Sequence, residues 1–339
     1  MQHVAALVCT APGSLRVERR PAAQPEPGQV LVRPRRIGIC GTDYHIFEGK
    51  HPFLQYPRIM GHELAVEVVT ATESSGPQPG EICVVNPYLS CGHCIACSAG
   101  KPNCCVNISV LGVHQDGGMA ELLSVPSSNL VRANGLTADE CATVEFLAIG
   151  AHAVRRAAIT DRDTVLVVGA GPIGLGVALF ARAIGAPVAV LDSDAGRAAT
   201  AKSIAKASAI PADSDPSRAV RTFTSGDGFN VVFDATGNRQ AMEKSFDFVA
   251  HGGRYILVGV INDTITFMDP DFHRKEMTLL GSRNATDEDF RRVIAGIRGG
   301  HVPVDRLVTH RTSLAEAVNN IPVWATQKTG LIKALIEID

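Results

Sequence analysis

The sequence predicts an α/β protein of two domains, an irregular β domain and a doubly wound parallel sheet, and three observations carry that prediction. A glycine-rich turn at 169–174 directly follows a short β-branched run. Beyond residue 145, strand-like and helix-like runs alternate, as they do when helices cover both faces of a parallel sheet. Before residue 145, short β-like runs are broken by proline and glycine turns.

In the first part the β-like runs include Val30-Leu31-Val32, Ala65-Val66-Glu67-Val68-Val69 and Ile82-Cys83-Val84-Val85. Pro25-Glu26-Pro27-Gly28 and Gly76-Pro77-Gln78-Pro79-Gly80 punctuate them. In the second part, strands are expected at 164–168, 188–191, 230–234 and 254–258, and helices at 175–184 and 239–249. From about Gly281 the pattern is less regular, and it ends in a β-like run at 331–338. The expected division is 1–146 with 282–339, and 147–281.

The 339 residues are enough for about two domains, and 45% hydrophobic against 19% charged residues allows a large core. A net charge of −2 gives no general attraction to nucleic acid or to an anionic membrane, so neither is an expected partner. Met1-Gln2-His3-Val4-Ala5-Ala6-Leu7 lacks a basic region followed by a long apolar run, and no apolar run reaches the ~20 residues of a membrane span. The expected compartment is the cytoplasm.

Gly169, Gly171 and Gly174 form G-x-G-x-x-G between strand and helix, with Pro172 and Ile173 inside the motif. The first glycine permits a tight turn, the second a close approach to a pyrophosphate, and the third close helix–strand packing. A helix N-terminus at this place offers N–H groups and a positive dipole end to phosphates. Asp192 ends the next strand, eighteen residues beyond Gly174, where a carboxylate accepts from ribose hydroxyls and repels a 2′-phosphate. That points to a Rossmann domain binding NAD. Arg197 stands nearby and could attract a 2′-phosphate instead. Thr236 and Val258, at the ends of two further strands, complete the expected cofactor residues.

Five of the nine cysteines, Cys91, Cys94, Cys97, Cys104 and Cys105, fall in one stretch. Cys91, Cys94, Cys97 and Cys105 give C-x2-C-x2-C-x7-C, which suits a closed, structural Zn²⁺. Four thiolates also suit an iron–sulfur cluster, and adjacent Cys104 and Cys105 cannot easily both face one ion. Cys40, His62 and Glu63 are Zn²⁺ ligand types as well, and three protein ligands leave the open position of a catalytic metal.

Together these motifs resemble the zinc-dependent medium-chain dehydrogenases along essentially the whole chain. The polyol and sugar-acid branch is the nearest in pattern, on the stretches 108–118, 151–158, 167–176 and 281–290. The resemblance implies a GroES-like β domain beside the Rossmann domain, two zinc ions per chain, and NAD. It implies that Cys40, His62, Glu63 and Glu145 serve the catalytic zinc, with Glu145 bound directly or through water. It selects Cys105 over Cys104 for the structural zinc. It places Thr42 between the reacting oxygen and the nicotinamide ribose, and makes His45 the proton outlet. His114, Arg283 and Asn284 become the substrate residues, although Arg283 could instead pair with Glu63 or Glu145 and orient the metal shell. One position departs from the branch, which usually carries proline where Phe146 stands. The implied reaction oxidises a secondary hydroxyl of a polyhydroxy acid, with L-galactonate at C5 the specific expectation. A neutral polyol or an amino alcohol is the alternative substrate. The implied assembly is a homodimer or homotetramer.

Overall fold

The computed structural model describes residues 3–51, 54–70, 76–210 and 215–339. The chain divides into two compact units, Met1–Phe146 with Thr286–Asp339, and Leu147–Ala285. The chain returns to the first unit after Ala285 and not after 281, because Ser282 N–H donates to Leu257 O and prolongs the sheet of the second unit.

In the second unit six strands form one all-parallel sheet. Their order is Ser208–Ile210, Val188–Leu191, Val165–Val168, Phe229–Asp234, Val249–Leu257, Thr278–Gly281. The order reverses at Val165–Val168, so right-handed crossovers place helices on both faces. Burial on both faces explains why this strand is apolar at every position, Val-Leu-Val-Val, where a one-faced strand would alternate. Leu166, Val168, Leu191, Val232, Phe246 and Tyr255 belong to one core cluster here.

The expected helix at 239–249 is shorter than the sequence suggested. It spans Arg239–Lys244, followed by a 3-10 turn at Ser245–Phe248, and the strand already begins at Val249. Gly252 and Gly253 lie within that strand. The strand runs through them with a register shift, pairing Val249 with Phe229 and Arg254 with Val231.

The first unit is built on a seven-stranded sheet. Leu130–Arg132, Ile82–Val85, Glu63–Val68, Gln29–Ile39, Lys333–Glu337 and Val308–Ser313 follow in order, and Leu123–Pro126 also pairs with Gln29–Ile39. A three-stranded sheet and a two-stranded sheet complete the unit. Two helices stand where the sequence looked irregular, Asp287–Arg298 and Ala317–Thr326. Among the described residues no helix is long and apolar enough to cross a membrane.

Candidate functional site

Cys40, His62 and Glu63 meet in the first unit, one donor atom from each lying within 4.8 Å of the others. Cys40 is the N-cap of the short helix Gly41–Phe47, and Glu63 opens the strand Glu63–Val68. Asp43 joins these two elements. Its Oδ2 accepts from Cys40 N–H at 2.9 Å, its Oδ1 accepts from Gly61 N–H at 3.3 Å, and it is fully buried. His62 Nδ1 lies 3.9 Å from Asp43 Oδ1 and is buried without a hydrogen bond. Burial opposes the charged imidazolium of His62, but the Cys40 and Asp43 charges outweigh it and hold the pKa well above the usual histidine value.

Lys333 is the largest feature that the sequence reading missed. It is 2% exposed, and its ammonium donates to both Glu63 oxygens at 2.7 Å and to Ile39 O at 3.2 Å. The ring of Phe146, the position that departs from the branch, lies 4.4 Å below that ammonium. Glu145 is also buried but stands outside the three-residue set, with the Tyr88 hydroxyl donating to its Oε1. Burial pushes the Glu145 carboxyl up to about 7, and the nearby Glu63 charge reinforces this. Thr42 Oγ1 is 3.8 Å from Cys40 Sγ. His45 is exposed at the end of the same helix, and partial burial lowers its pKa.

Cys91, Cys94, Cys97 and Cys105 form a second set, while Cys104 is exposed and outside it. The sulfur separations are 3.5 Å for Cys94–Cys97, 3.9 Å for Cys94–Cys105 and 3.5 Å for Cys91–Cys105. A tetrahedron with Zn–S bonds of about 2.3 Å has edges of roughly 3.8 Å, so these distances suit one ion and leave no room for a cluster. Backbone N–H groups of Cys97 and Val106 lower the Cys94 thiol to about 6, which favours the ligating thiolate.

The residues expected to bind the dinucleotide lie in the second unit. Val168 is paired with Leu191 and Asp234, and Asp234 with Leu257, so Gly169, Asp192, Ala235 and Val258 emerge side by side at the carboxyl edge of the sheet. Gly171 caps the helix Pro172–Ile184, and Pro172 and Ile173 form its first turn. A Cβ on Gly174 would lie 1.8 Å from Gly169 O, so only glycine lets the helix start this close to the strand. Asp192 accepts from Ala170 N–H at 2.7 Å and from Asp194 N–H at 2.8 Å. Arg197 is half-buried in the first turn of Ala195–Ala205.

Asp234, unremarked in the sequence, organises the neighbouring turn. Its Oδ1 accepts from Thr236 N–H and hydroxyl at 2.9 and 2.8 Å, and its backbone oxygen accepts from Val258 N–H. The substrate residues expected from the sequence fall in both units. His114, in the first unit, is exposed and its Nδ1 accepts from Val110 N–H at 3.0 Å. Arg283 and Asn284 belong to the second unit, Arg283 exposed and Asn284 in a left-handed conformation at φ 54°.

Comparison with known proteins follows these features closely. Residues 26–135 match the alcohol dehydrogenase GroES-like domain, and residues 172–298 match the zinc-binding dehydrogenase family. The chain is 41% identical to L-galactonate-5-dehydrogenase of Escherichia coli K12 over 99% of both chains. It belongs to the zinc-binding alcohol dehydrogenases. As a member of that family it is an oxidoreductase acting on a small-molecule substrate, with a GroES-like domain and a Rossmann-like domain. Among solved structures, the alcohol dehydrogenase RspB of Escherichia coli CFT073, complexed with NADH, superposes with a TM-score of 0.93 at 28% identity over 99% of each chain. A zinc-binding dehydrogenase of Sinorhizobium meliloti 1021, bound to NADP, gives 0.89 at 28% identity over the full length of both.

Proposed function

We propose that this chain oxidises a secondary hydroxyl of a polyhydroxy carboxylate with NAD, and that L-galactonate, oxidised at C5, is its substrate. The observation that carries the reading is the 41% identity to L-galactonate-5-dehydrogenase along the whole chain. Cys40, His62 and Glu63, with Glu145 beside them, are the residues that would hold a catalytic zinc. The fit rests on their converging donor atoms and on the chemistry of a thiolate, imidazole and carboxylate set. Cys91, Cys94, Cys97 and Cys105 would hold the structural one. A zinc ion at the first site supplies Lewis acidity that makes the substrate hydroxyl acidic near neutral pH.

The chain's own residues then move the proton and set the cofactor. Thr42 relays the proton, accepting that of the substrate hydroxyl as it gives up its own, and His45, whose pKa is lowered by burial so that its imidazole is available as a base, takes the proton onward to solvent. The turn at Gly169–Gly174 receives the pyrophosphate, with Thr236 and Val258 beside it. Relatives of equal identity bind NADH and NADP, so selection between them must come from residues here. Asp192, held rigidly at the strand end, favours NAD over the phosphorylated form. Arg283, Asn284 and His114 are the residues proposed for the substrate carboxylate, a group that takes charge-assisted hydrogen bonds.

The proposed assembly is a homodimer or homotetramer. Thr278–Gly281 ends the parallel sheet with an outer edge, and Val260 and Met268 of the same unit are strongly exposed. The proposed compartment is the reducing cytoplasm, consistent with nine cysteines and no disulfide among them.

The test compares kcat/KM for L-galactonate, L-gulonate and L-idonate with that for sorbitol and galactitol, followed by NADH absorbance. Acids should be preferred. Equal turnover of neutral polyols would replace the acid reading by a polyol one.

A further inference from the structure

A lysine that is 2% exposed, followed in its strand by Ala334, Leu335 and Ile336, must find partners, since an unpaired buried ammonium is strongly disfavoured. Lys333 Nζ makes three internal contacts, one to each Glu63 oxygen and one to Ile39 O. Its charged end also lies over the Phe146 ring, 4.4 Å from the centroid, so the ammonium is held by protein groups. Gly38 backs closely onto Glu63. A Cβ on Gly38 would stand 2.0 Å from Glu63 Oε2. The carboxylate is therefore fixed between an ammonium and a glycine, and each oxygen keeps one lone pair beyond the pair given to Lys333.

We propose that Lys333 is a positioning residue that keeps Glu63 a weak, displaceable donor toward the ion held by Cys40 and His62. The inference rests on the zinc reading given above. Its physical basis is the sign of the partner. A group behind a ligand that accepts a proton strengthens that ligand as a donor. An ammonium does the reverse, because it withdraws electron density from the carboxylate and adds like charge beside the cation. Both effects are strong at short range in a site from which water is excluded. Removing the charge of Lys333 leaves Glu63 with the metal ion as its cation, and a carboxylate held that firmly closes the position that a catalytic site keeps open.

The test uses the zinc-loaded protein and its cobalt-substituted form. Lys333→Met, Lys333→Arg, Glu63→Gln and the Glu63→Gln/Lys333→Met double variant are compared with wild type. Zinc retained against graded dipicolinate gives the affinity, and the visible spectrum of Co²⁺ reports the ligand number. Lys333→Met should hold the catalytic zinc about tenfold or more tightly, the span of outer-shell effects, and should shift the cobalt bands. Lys333→Arg should return both toward wild type. The double variant should match Glu63→Gln alone. Zinc affinity in Lys333→Met equal to or below wild type overturns the proposal, as does a gain that persists undiminished in the Glu63→Gln background. If Lys333→Met does not fold, Lys333→Gln, which keeps a donor for Glu63 without the charge, is read by the same criteria. Failure of the zinc reading itself has a different signature, since Cys40→Ser would then carry the same metal content as wild type.

Discussion

Asp192 accepts a 2.7 Å hydrogen bond from Ala170 N–H, the residue between the first two glycines of the dinucleotide turn. Its other oxygen accepts from Asp194 N–H, so both ends of the carboxylate are fixed by backbone. A phosphate brought to a carboxylate that cannot turn away meets repulsion of about 1 to 4 kcal/mol at 4 Å, depending on screening. Wild type should prefer NAD, and Asp192→Ala should narrow the NAD/NADP ratio of kcat/KM by about tenfold or more, chiefly through KM. Asp192→Asn keeps the shape and removes the charge, and should narrow it as well. A wild type that uses NADP better than NAD would show that Arg197 decides the cofactor.

The two metal sets should separate experimentally. Metal analysis of purified protein should find two zinc equivalents per chain. Cys40→Ser should lose one, lose activity and remain folded, because its site lies within a unit whose apolar core is already large. Cys97→Ser should chiefly lose stability, since the 91–105 segment has little core of its own: Ile95 and Val106 within or beside it are exposed. Retained activity in a zinc-free Cys40→Ser protein would contradict the assignment.

The parts of the molecule that were legible in the sequence are those where one residue type is nearly the only solution. Gly174 is such a case, because any side chain there meets Gly169 O. The cysteine spacing is another. Less legible were features that depend on partners distant in sequence. Lys333 and Glu63 are 270 residues apart, although a lysine inside the apolar run 331–338 was itself a signal that a buried anion awaited it. Asp43 stands between Thr42 and His45, but its bond to Gly61, 18 residues away, is not visible in the sequence. The helix Asp287–Arg298 could have been read from Thr286 and Asp289, which form its capping box, and from Phe290, Val293, Ile294 and Ile297 at helical spacing. The helix Ala317–Thr326 was hidden by Pro322 inside it.

Acid sensitivity should arise partly from Asp139. Arg311 and Arg36 donate to its two oxygens at 2.6 and 2.9 Å, and Arg311 in particular holds its carboxyl below the ordinary aspartate value. A depressed folded pKa contributes stability above the unfolded value of about 3.9, and that contribution is lost as pH falls through the folded pKa. Asp139 is about a third exposed, so the contribution at neutral pH is on the order of 1 kcal/mol or less. Asp139→Asn should lower Tm at pH 7, and the gap to wild type should shrink below about pH 4. A gap that stays constant from pH 7 to pH 3 would show that the pair is electrostatically silent.

Gly38→Ala should disable the site without replacing any proposed ligand. The added Cβ would stand 2.0 Å from Glu63 Oε2, 2.8 Å from Glu63 Cβ and 3.0 Å from Ala142 O. Two of these neighbours cannot swing aside, being a Cβ and a backbone oxygen. The carboxylate itself is fully buried and gripped by Lys333 at 2.7 Å on both oxygens, so it can leave only by breaking that pair. Overpacking of this kind costs about 1 to 3 kcal/mol, and separating a buried ion pair adds to it. The expected result is a lower Tm together with loss of the catalytic zinc equivalent and of activity. Gly281→Ala is the control, since its Cβ would meet nothing within 4 Å. It should stay within about 0.5 kcal/mol of wild type and keep its metal. A Gly38→Ala protein with wild-type metal content and activity would mean that Glu63 has another place to go, and that its geometry does not matter to the site.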